Sequence, residues 1–325
     1  MYAALDLHQK TVQLVLKDER GQIASETKIG RDANNILEFL DGSEATVVME
    51  SGYNHEHIYD LLKEEGYDVK VAHPLMVKAI AYAKVKNDKV DARTLADLLR
   101  LDMIPECYNP SIETRELRDL ARRRHYFVST RTIFKNKIHA ELSRRWIDCS
   151  KADLSTEAGK KRLRSLGIRA VDDYLDSIQF FDAKIGELDN QIKEQALKNT
   201  YAKLLMTIPG ISYYGALLIS SEIADIKRFP DPEHLCSYVK LTPGSHQSGD
   251  TQYQKVDHKG NRMLNWIMIQ CVHIHVLNCN SSITKHYDRI KESRGAKIAI
   301  VAAARKLTRA IYIMRKEERA FRLNG

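Results

Sequence analysis

The stretch YAALDLHQKTVQLVLKDERGQIASET, residues 2–27, sets the reading of the N-terminal third of the chain. Tyr2 to Leu7 and Thr11 to Leu16 are apolar, partly β-branched runs, separated by a tight turn at His8-Gln9. A second turn at Asp18-Glu19-Arg20-Gly21 leads into a third candidate strand, Gln22 to Thr27. Three strands joined by turns this short can only lie side by side, antiparallel.

Working outward, Asn34 to Leu40 reads as a short helix, and Thr46-Val47-Val48-Met49-Glu50 as a strand buried on both faces. His55 to Glu65 has helical periodicity, with Gly66 placed to cap it. Asp68 to Ala72 is a further buried strand, closed by His73-Pro74; helical segments follow at Leu75 to Lys84 and Asp88 to Leu101. Three meandering strands, then helix, strand, helix, strand, helix, is the order of an α/β ribonuclease-H/RuvC-like domain, here assigned to residues 1–108.

That order places carboxylates. Asp6 falls near the end of the first strand and Glu50 ends a later one, while Asp88 and Asp91, three apart, share a helix face. Each acid has an ordinary explanation: Asp88 and Asp91 as helix-start acids favoured by the macrodipole, Asp6 as a turn residue. Glu50 resists one, because a carboxylate ending a Thr-Val-Val-Met strand is costly unless paired or metal-bound. Four converging carboxylates repel without a cation, and Mg²⁺ (or Mn²⁺) suits an all-oxygen set with substrate phosphate as a further ligand.

Residues 109–199 are read as a basic helix followed by a coiled-coil arm. Ser111 to Arg145 carries ten basic residues against four acids, including Arg122-Arg123-Arg124, a one-signed face that suits nucleic acid better than plain solvent. From Val171 to Leu197, Val171, Ile178, Ile185 and Ile192 recur every seven residues, with Tyr174, Phe181 and Leu188 three further on. This seam is acidic and is read as a protein–protein arm joining copies into a dimer or tetramer; folding of the basic helix back on it within one chain is the alternative.

The C-terminal part, residues 200–325, is mainly helical. Ile208-Pro209-Gly210-Ile211 between two short helical segments has the helix–hairpin–helix pattern, in which turn N–H groups grip phosphate and Gly210 would lie at the grip. Met263 to Leu277 and Ala296 to Met314 are helical, and Lys285 to Glu318 is again basic. Between them, KLTPGSHQSGDTQYQKVDHKGN (residues 240–261) is a long polar connection, read as irregular; such a connection in a compact domain is commonly a site. Ser248 is its candidate nucleophile, with Ser245 the rival, His246 a base or phosphate contact, and Lys259 and Arg262 further nucleic-acid contacts. His273 and His275 alternate with apolar residues on a helix and are read as structural, and nothing beside Tyr253 suggests activation.

The 325 residues carry 51 Lys and Arg against 43 Asp and Glu, a net charge of +8, which favours a polyanionic partner. Five cysteines with no Cys-x-x-Cys pair read as reduced thiols, excluding a disulfide frame or zinc knuckle. MYAALDLHQK lacks the apolar core of a signal peptide, and no apolar run approaches the ~20 residues that span a bilayer. A soluble intracellular protein is expected.

Taken in order, Leu5-Asp6-Leu7-His8-Gln9-Lys10, Met49-Glu50-Ser51, Lys86-Asn87-Asp88-Lys89-Val90-Asp91-Ala92, Ile208-Pro209-Gly210-Ile211, Ile226-Lys227-Arg228-Phe229, Leu241-Thr242-Pro243, His246-Gln247-Ser248-Gly249 and Lys259-Gly260-Asn261 make the chain resemble the transposases of insertion-sequence family 110. Ala304-Arg305-Lys306-Leu307 fits as well, and the resemblance covers nearly the whole chain. Two departures are Lys240, where the family usually has Gly before Leu-Thr-Pro, and Ser212, where it often has Gly after Pro-Gly-Ile.

The resemblance implies a DEDD recombinase: a RuvC-like domain whose Asp6, Glu50, Asp88 and Asp91 hold Mg²⁺, and a C-terminal transposase domain whose Ser248 forms a transient phosphoserine link to DNA. It further implies multimers on donor and target DNA in a prokaryotic, nucleoid-associated setting, and in some members a guide RNA from the element's own end. The alternatives are a RuvC-like two-metal nuclease with Ser248 structural, a DNA invertase without an RNA guide, and a binding scaffold with vestigial carboxylates.

Overall fold

The computed structural model describes residues 1–52, 54–81, 87–242, 244–248, 251–255 and 260–323, with backbone alone for 244–248 and 251–255. The chain divides into two compact units, Met1–Asn109 and Pro110–Gly325.

The first unit is built on a five-stranded sheet: β1 (Tyr2–Leu7), β2 (Thr11–Lys17), β3 (Ile23–Gly30), β4 (Thr46–Glu50) and β5 (Val69–Ala72). Its order is β3-β2-β1-β4-β5, antiparallel from β1 to β3 and parallel from β1 through β4 to β5. The pleat sends alternate side chains to opposite faces. Ala3, Leu5, Val47 and Met49 pack with Ile36 and Leu40 of α1 (Ala33–Leu40) and with Ile58 and Leu62 of α2 (His55–Glu64). Ala4, Val15, Val48 and Ala72 face the other way, against Val77 of α3 (Pro74–Ile80) and Ala92, Leu95 and Leu99 of α4 (Asp88–Arg100). Helices thus cover both faces, as expected where the central strands read as continuous apolar runs. This mixed sheet with its helices is consistent with the ribonuclease-H-like reading, and α4 is further tied across it by Arg93–Glu26 and Lys17–Asp97.

The second unit is helical apart from one hairpin. Its elements are α5 (Ile112–Ser143), α6 (Glu157–Arg164), α7 (Arg169–Lys198), α8 (Thr200–Leu205), α9 (Tyr213–Ile223), α10 (Pro232–Tyr238), β6 (Gly244–Ser248), β7 (Thr251–Lys255), α11 (Arg262–Asn278), α12 (Ser282–Arg294) and α13 (Ala296–Lys316). Nearly every residue of α9 is buried, and it packs on α5, α7, α8 and α11 in a core that also takes Met268 and Val272 of α11 and Ala303, Leu307 and Ile311 of α13.

The heptad residues of α7 are covered within the chain. Val171, Leu175 and Ile178 share one core with Ile138 and Leu142 of α5, and Phe181 contacts Phe127 and Phe134. The charges follow the same pairing, with Arg124 on Asp189 at 2.8 Å and Arg131 on Asp182 at 2.5 Å. The basic helix and the acidic helix are therefore each other's partner, which is the intrachain alternative. The opposite charge excesses of the two segments already carried that information.

The connection read as irregular contains a hairpin, with Gly244 opposite Lys255 and Ser248 opposite Thr251. Its strands are almost wholly polar, so no apolar alternation marks them; the clue is the two-residue Gly249-Asp250 spacing, a recurrent hairpin signal.

The Pro209-Gly210 turn packs against α11. Gly210 has φ +96°, and a Cβ there would lie 2.8 Å from the His275 backbone nitrogen and 2.9 Å from the Cys271 carbonyl oxygen. His275, fully buried, bonds the Pro209 carbonyl at 2.7 Å through Nδ1 and Ser281 Oγ at 2.7 Å through Nε2. Glycine is thus required by close approach and by φ. Gly210→Ala is expected to cost roughly 2–4 kcal/mol in chemical denaturation. A turn serving only to grip phosphate would instead leave stability unchanged and weaken DNA binding.

Candidate active site

The register builds the site. Leu5 pairs with Met49, so Asp6 and Glu50 follow side by side at the ends of adjacent parallel strands. Asp6 pairs with Gln13, and Gln13 with Lys28. A polar row, Glu50-Asp6-Gln13-Lys28, therefore crosses the sheet on the face that α4 covers, beyond the apolar row of Val48, Ala4 and Val15. Over this row stands the first turn of α4. Asn87 caps it by accepting from the Lys89 N–H, which fixes Asp88 as the first helical residue and puts Asp91 one turn on.

His8, two residues beyond Asp6, completes the cluster. Its Nε2 lies 3.1 Å from Asp6 Oδ2 and 3.2 Å from Asp88 Oδ1, and one ligand atom from each of Asp6, His8 and Asp88 falls within 4.8 Å of the others. Asp6 Oδ2 and His8 Nε2 are both buried, and neither makes a hydrogen bond of acceptable geometry despite their closeness. The three atoms converge at contact distance, an arrangement that ligand atoms around a cation share.

The electrostatics agree. Burial pushes the Asp6 carboxyl above its ordinary value; His8 opposes this, and the charges of Asp88 and Asp91 push it further up. Asp88 is held below the usual range, first by the Lys28 ammonium that donates to it at 2.8 Å, and also by His8. A divalent cation would relieve the crowding at Asp6, so the residues present fit the group. Asp6, His8 and Asp88 offer the close set; Glu50 and Asp91 stand at its edge and lie outside the 4.8 Å group.

His8 and Lys28 were not among the sequence candidates. Both signals were available: residues i and i+2 of an extended segment share a face, and three meandering strands put Lys28 in register with Gln13.

In the second unit, the root of the hairpin is well defined. The Asn261 N–H donates to the Tyr238 carbonyl at 2.7 Å, and Asn265 donates to the carbonyls of Val239 and Lys240. The Asn261 amide also donates to Glu222 at 2.7 Å; Glu222, fully buried, takes Arg122 in two bonds of 2.6 and 2.9 Å, with Arg118 alongside at 3.6 Å. Arg122 and Arg124 thus have internal partners, whereas Arg123 and Arg262 are exposed. The side chains of His246 and Ser248, and Lys259 as a whole, lie outside the described residues.

A ribonuclease-H-like sheet with carboxylates at strand ends and at a covering helix start defines a class of enzymes that cut nucleic-acid phosphodiesters with divalent metal. A family model for DEDD transposases of the IS110 type matches residues 3–147, and one for transposases of the IS116/IS110/IS902 family matches residues 202–288. The transposase for insertion sequence element IS1111A of Coxiella burnetii is 24% identical, over 98% of this chain and 90% of its own. The transposase for insertion sequence element IS1328 of Yersinia enterocolitica is 19% identical, over 98% and 97%, and the pilin gene-inverting protein of Moraxella bovis 24%, over 78% and 74%. The chain belongs to the IS110 family of transposases, enzymes that cleave and rejoin DNA and for which divalent metal is implied. No helix among the described residues is long and apolar enough to cross a membrane.

Proposed function

We propose that this transposase exchanges DNA strands through a phosphoserine intermediate on Ser248, supported by Mg²⁺ held by Asp6, Glu50, Asp88 and Asp91, with His8 beside them. The observation that carries the reading is the convergence of Asp6, His8 and Asp88 ligand atoms at the end of the polar row. Bound there, the cation would supply charge neutralisation at the phosphate and lower the proton affinity of an attacking oxygen. Ser248 Oγ attacks phosphorus, forming a new O–P bond while the bond to the departing deoxyribose oxygen breaks. The Oγ proton is lost to a base, and the departing oxygen takes up a proton. A hydroxyl of the second strand then attacks the phosphoserine, restoring the diester and returning the proton to Ser248. No water is consumed, so strands are exchanged and not hydrolysed.

Target choice is assigned to a structured RNA from the element's end. It is tested by purifying the protein from cells carrying its flanking DNA and sequencing the nucleic acid that accompanies it. One enriched RNA from that flank supports the assignment; its absence, with strand exchange retained after ribonuclease treatment, means recognition by protein alone, as in an unguided invertase.

A further inference from the structure

A large cavity among the described residues belongs to neither half of this chemistry. It is a groove of about 1320 Å³ in the second unit, running along α13 between the start of α12 and the segment after Lys316, and reaching Lys240, Leu241 and Thr242 at the root of the hairpin. Small-ligand pockets occupy roughly 300–1,000 Å³. This one is larger, open-sided, and suited to a length of polymer.

Its lining has two chemistries. The floor is aliphatic, from Ile298, Val301 and Ile313, each more than a third exposed. The rim is cationic, and no acidic side chain is among its lining residues. Arg305 and Arg309 share the single carboxylate of Glu233 from outside the groove, whereas Arg294, Lys297 and Arg322 have no carboxylate partner among the described residues. The Lys306 ammonium, donating to the Ser282 carbonyl, is pushed below its ordinary pKa by burial and by Arg289. The start of α13 also opens here: Gly295 stands at its N-cap without a side chain to cap it, leaving first-turn N–H groups beside Arg294 and Lys297.

Cations and free helix-start N–H groups around an apolar floor match an unpaired nucleic-acid strand, whose phosphates take the rim and whose base faces cover the aliphatic side chains. A duplex presents phosphates but hides its base faces, and would leave the floor wet. We infer that this groove holds a single-stranded DNA segment and leads it to the root of the hairpin that carries Ser248. The inference rests on the strand-exchange reading for its purpose, but its binding surface is testable separately.

The test uses the full chain, fluorescence anisotropy, and a labelled twenty-residue oligo(dT), a duplex of equal length, and oligo(rU). Arg294→Ala/Lys297→Ala is expected to weaken oligo(dT) binding at least tenfold and to reduce the log–log salt slope by about 1.4, two phosphates' worth. Ile298→Ser, at an exposed position, is expected to weaken oligo(dT) several-fold and leave the duplex within twofold. Unchanged oligo(dT) binding in both variants overturns the groove, as does an equal loss for the duplex. Loss confined to oligo(rU) reassigns the groove to RNA and overturns the DNA inference. Ser248→Ala is expected to bind oligo(dT) as the wild type does. Failure of the groove variants with a Ser248 adduct intact therefore removes this inference alone, and loss of the adduct claim with groove binding intact removes only the strand-exchange reading.

Discussion

Ser248→Ala is expected to eliminate the covalent protein–DNA species and to lower strand exchange by on the order of 10⁴-fold or more, the scale at which enzymes lose rate when a covalent nucleophile is removed. The adduct is read as a slowed band on a denaturing gel with end-labelled DNA, and exchange as recombinant product from paired substrates. Ser245→Ala, three residues earlier in the same strand, is expected to keep the adduct and most of the exchange. The pair of variants matters because Ser245 and Ser248 lie on the same strand, β6, and only their separate loss tells which of them carries the DNA. Full exchange by Ser248→Ala would mean that Ser248 is not the nucleophile, and hydrolysed ends in place of exchange products would describe a two-metal nuclease.

Asp6→Asn is expected to be inactive and more stable. Loss of a central carboxylate should lower exchange by about 10³-fold. The stability sign follows from the raised pKa. The folded state holds the Asp6 proton more tightly than the unfolded chain, so the stability this provides is complete below the ordinary value of 3.8 and is lost as pH rises through the folded value. At neutral pH the ionised carboxylate, half-buried and near the charges of Asp88 and Asp91, works against folding, and the amide removes that cost. Without metal, Asp6→Asn should therefore melt above the wild type at pH 7, with the gap closing toward acid. Saturating Mg²⁺ or Mn²⁺ should raise the wild-type Tm and leave the variant almost unmoved, because ligand stabilises only where it binds the native state. Chelation should reverse the wild-type shift. A variant that melts below the wild type without metal would mean that Asp6 is a structural partner of His8 and not a strained ligand.

Much of this site was legible in the sequence for a physical reason. Central strands of a two-faced sheet must be apolar throughout, so Asp6 and Glu50 stand out against Ala3-Ala4-Leu5 and Val47-Val48-Met49, and the order of elements places them as neighbours. The i, i+3 spacing of Asp88 and Asp91 fixed their common face whatever the helix's neighbours. His8 and Lys28 were harder to single out, because turn residues and edge-strand lysines have many solvent-facing roles; the i, i+2 step from Asp6 marks His8, and the register Asp6–Gln13–Lys28 marks Lys28.

The second unit was harder to read. A row of arginines looks the same whether it faces phosphate or a buried acid, and Glu222, which takes Arg122 and the hairpin root, sits unmarked in an apolar helix. The heptads of α7 gave the seam but not the partner, since α5 offers it aromatic side chains and opposite charge without a heptad of its own. The hairpin escaped because its strands are polar.

The central claim is tested most directly by finding the atom to which DNA becomes attached. The protein is incubated with Mg²⁺ and a nicked substrate that prevents rejoining, the trapped species is digested with nuclease and protease, and the nucleotide-bearing peptide is sequenced by mass spectrometry. The account predicts a nucleotide on Ser248, formed with Mg²⁺ and missing from Asp88→Asn. A nucleotide on Ser245 or Tyr253, or free phosphate ends with no peptide attached, would contradict it.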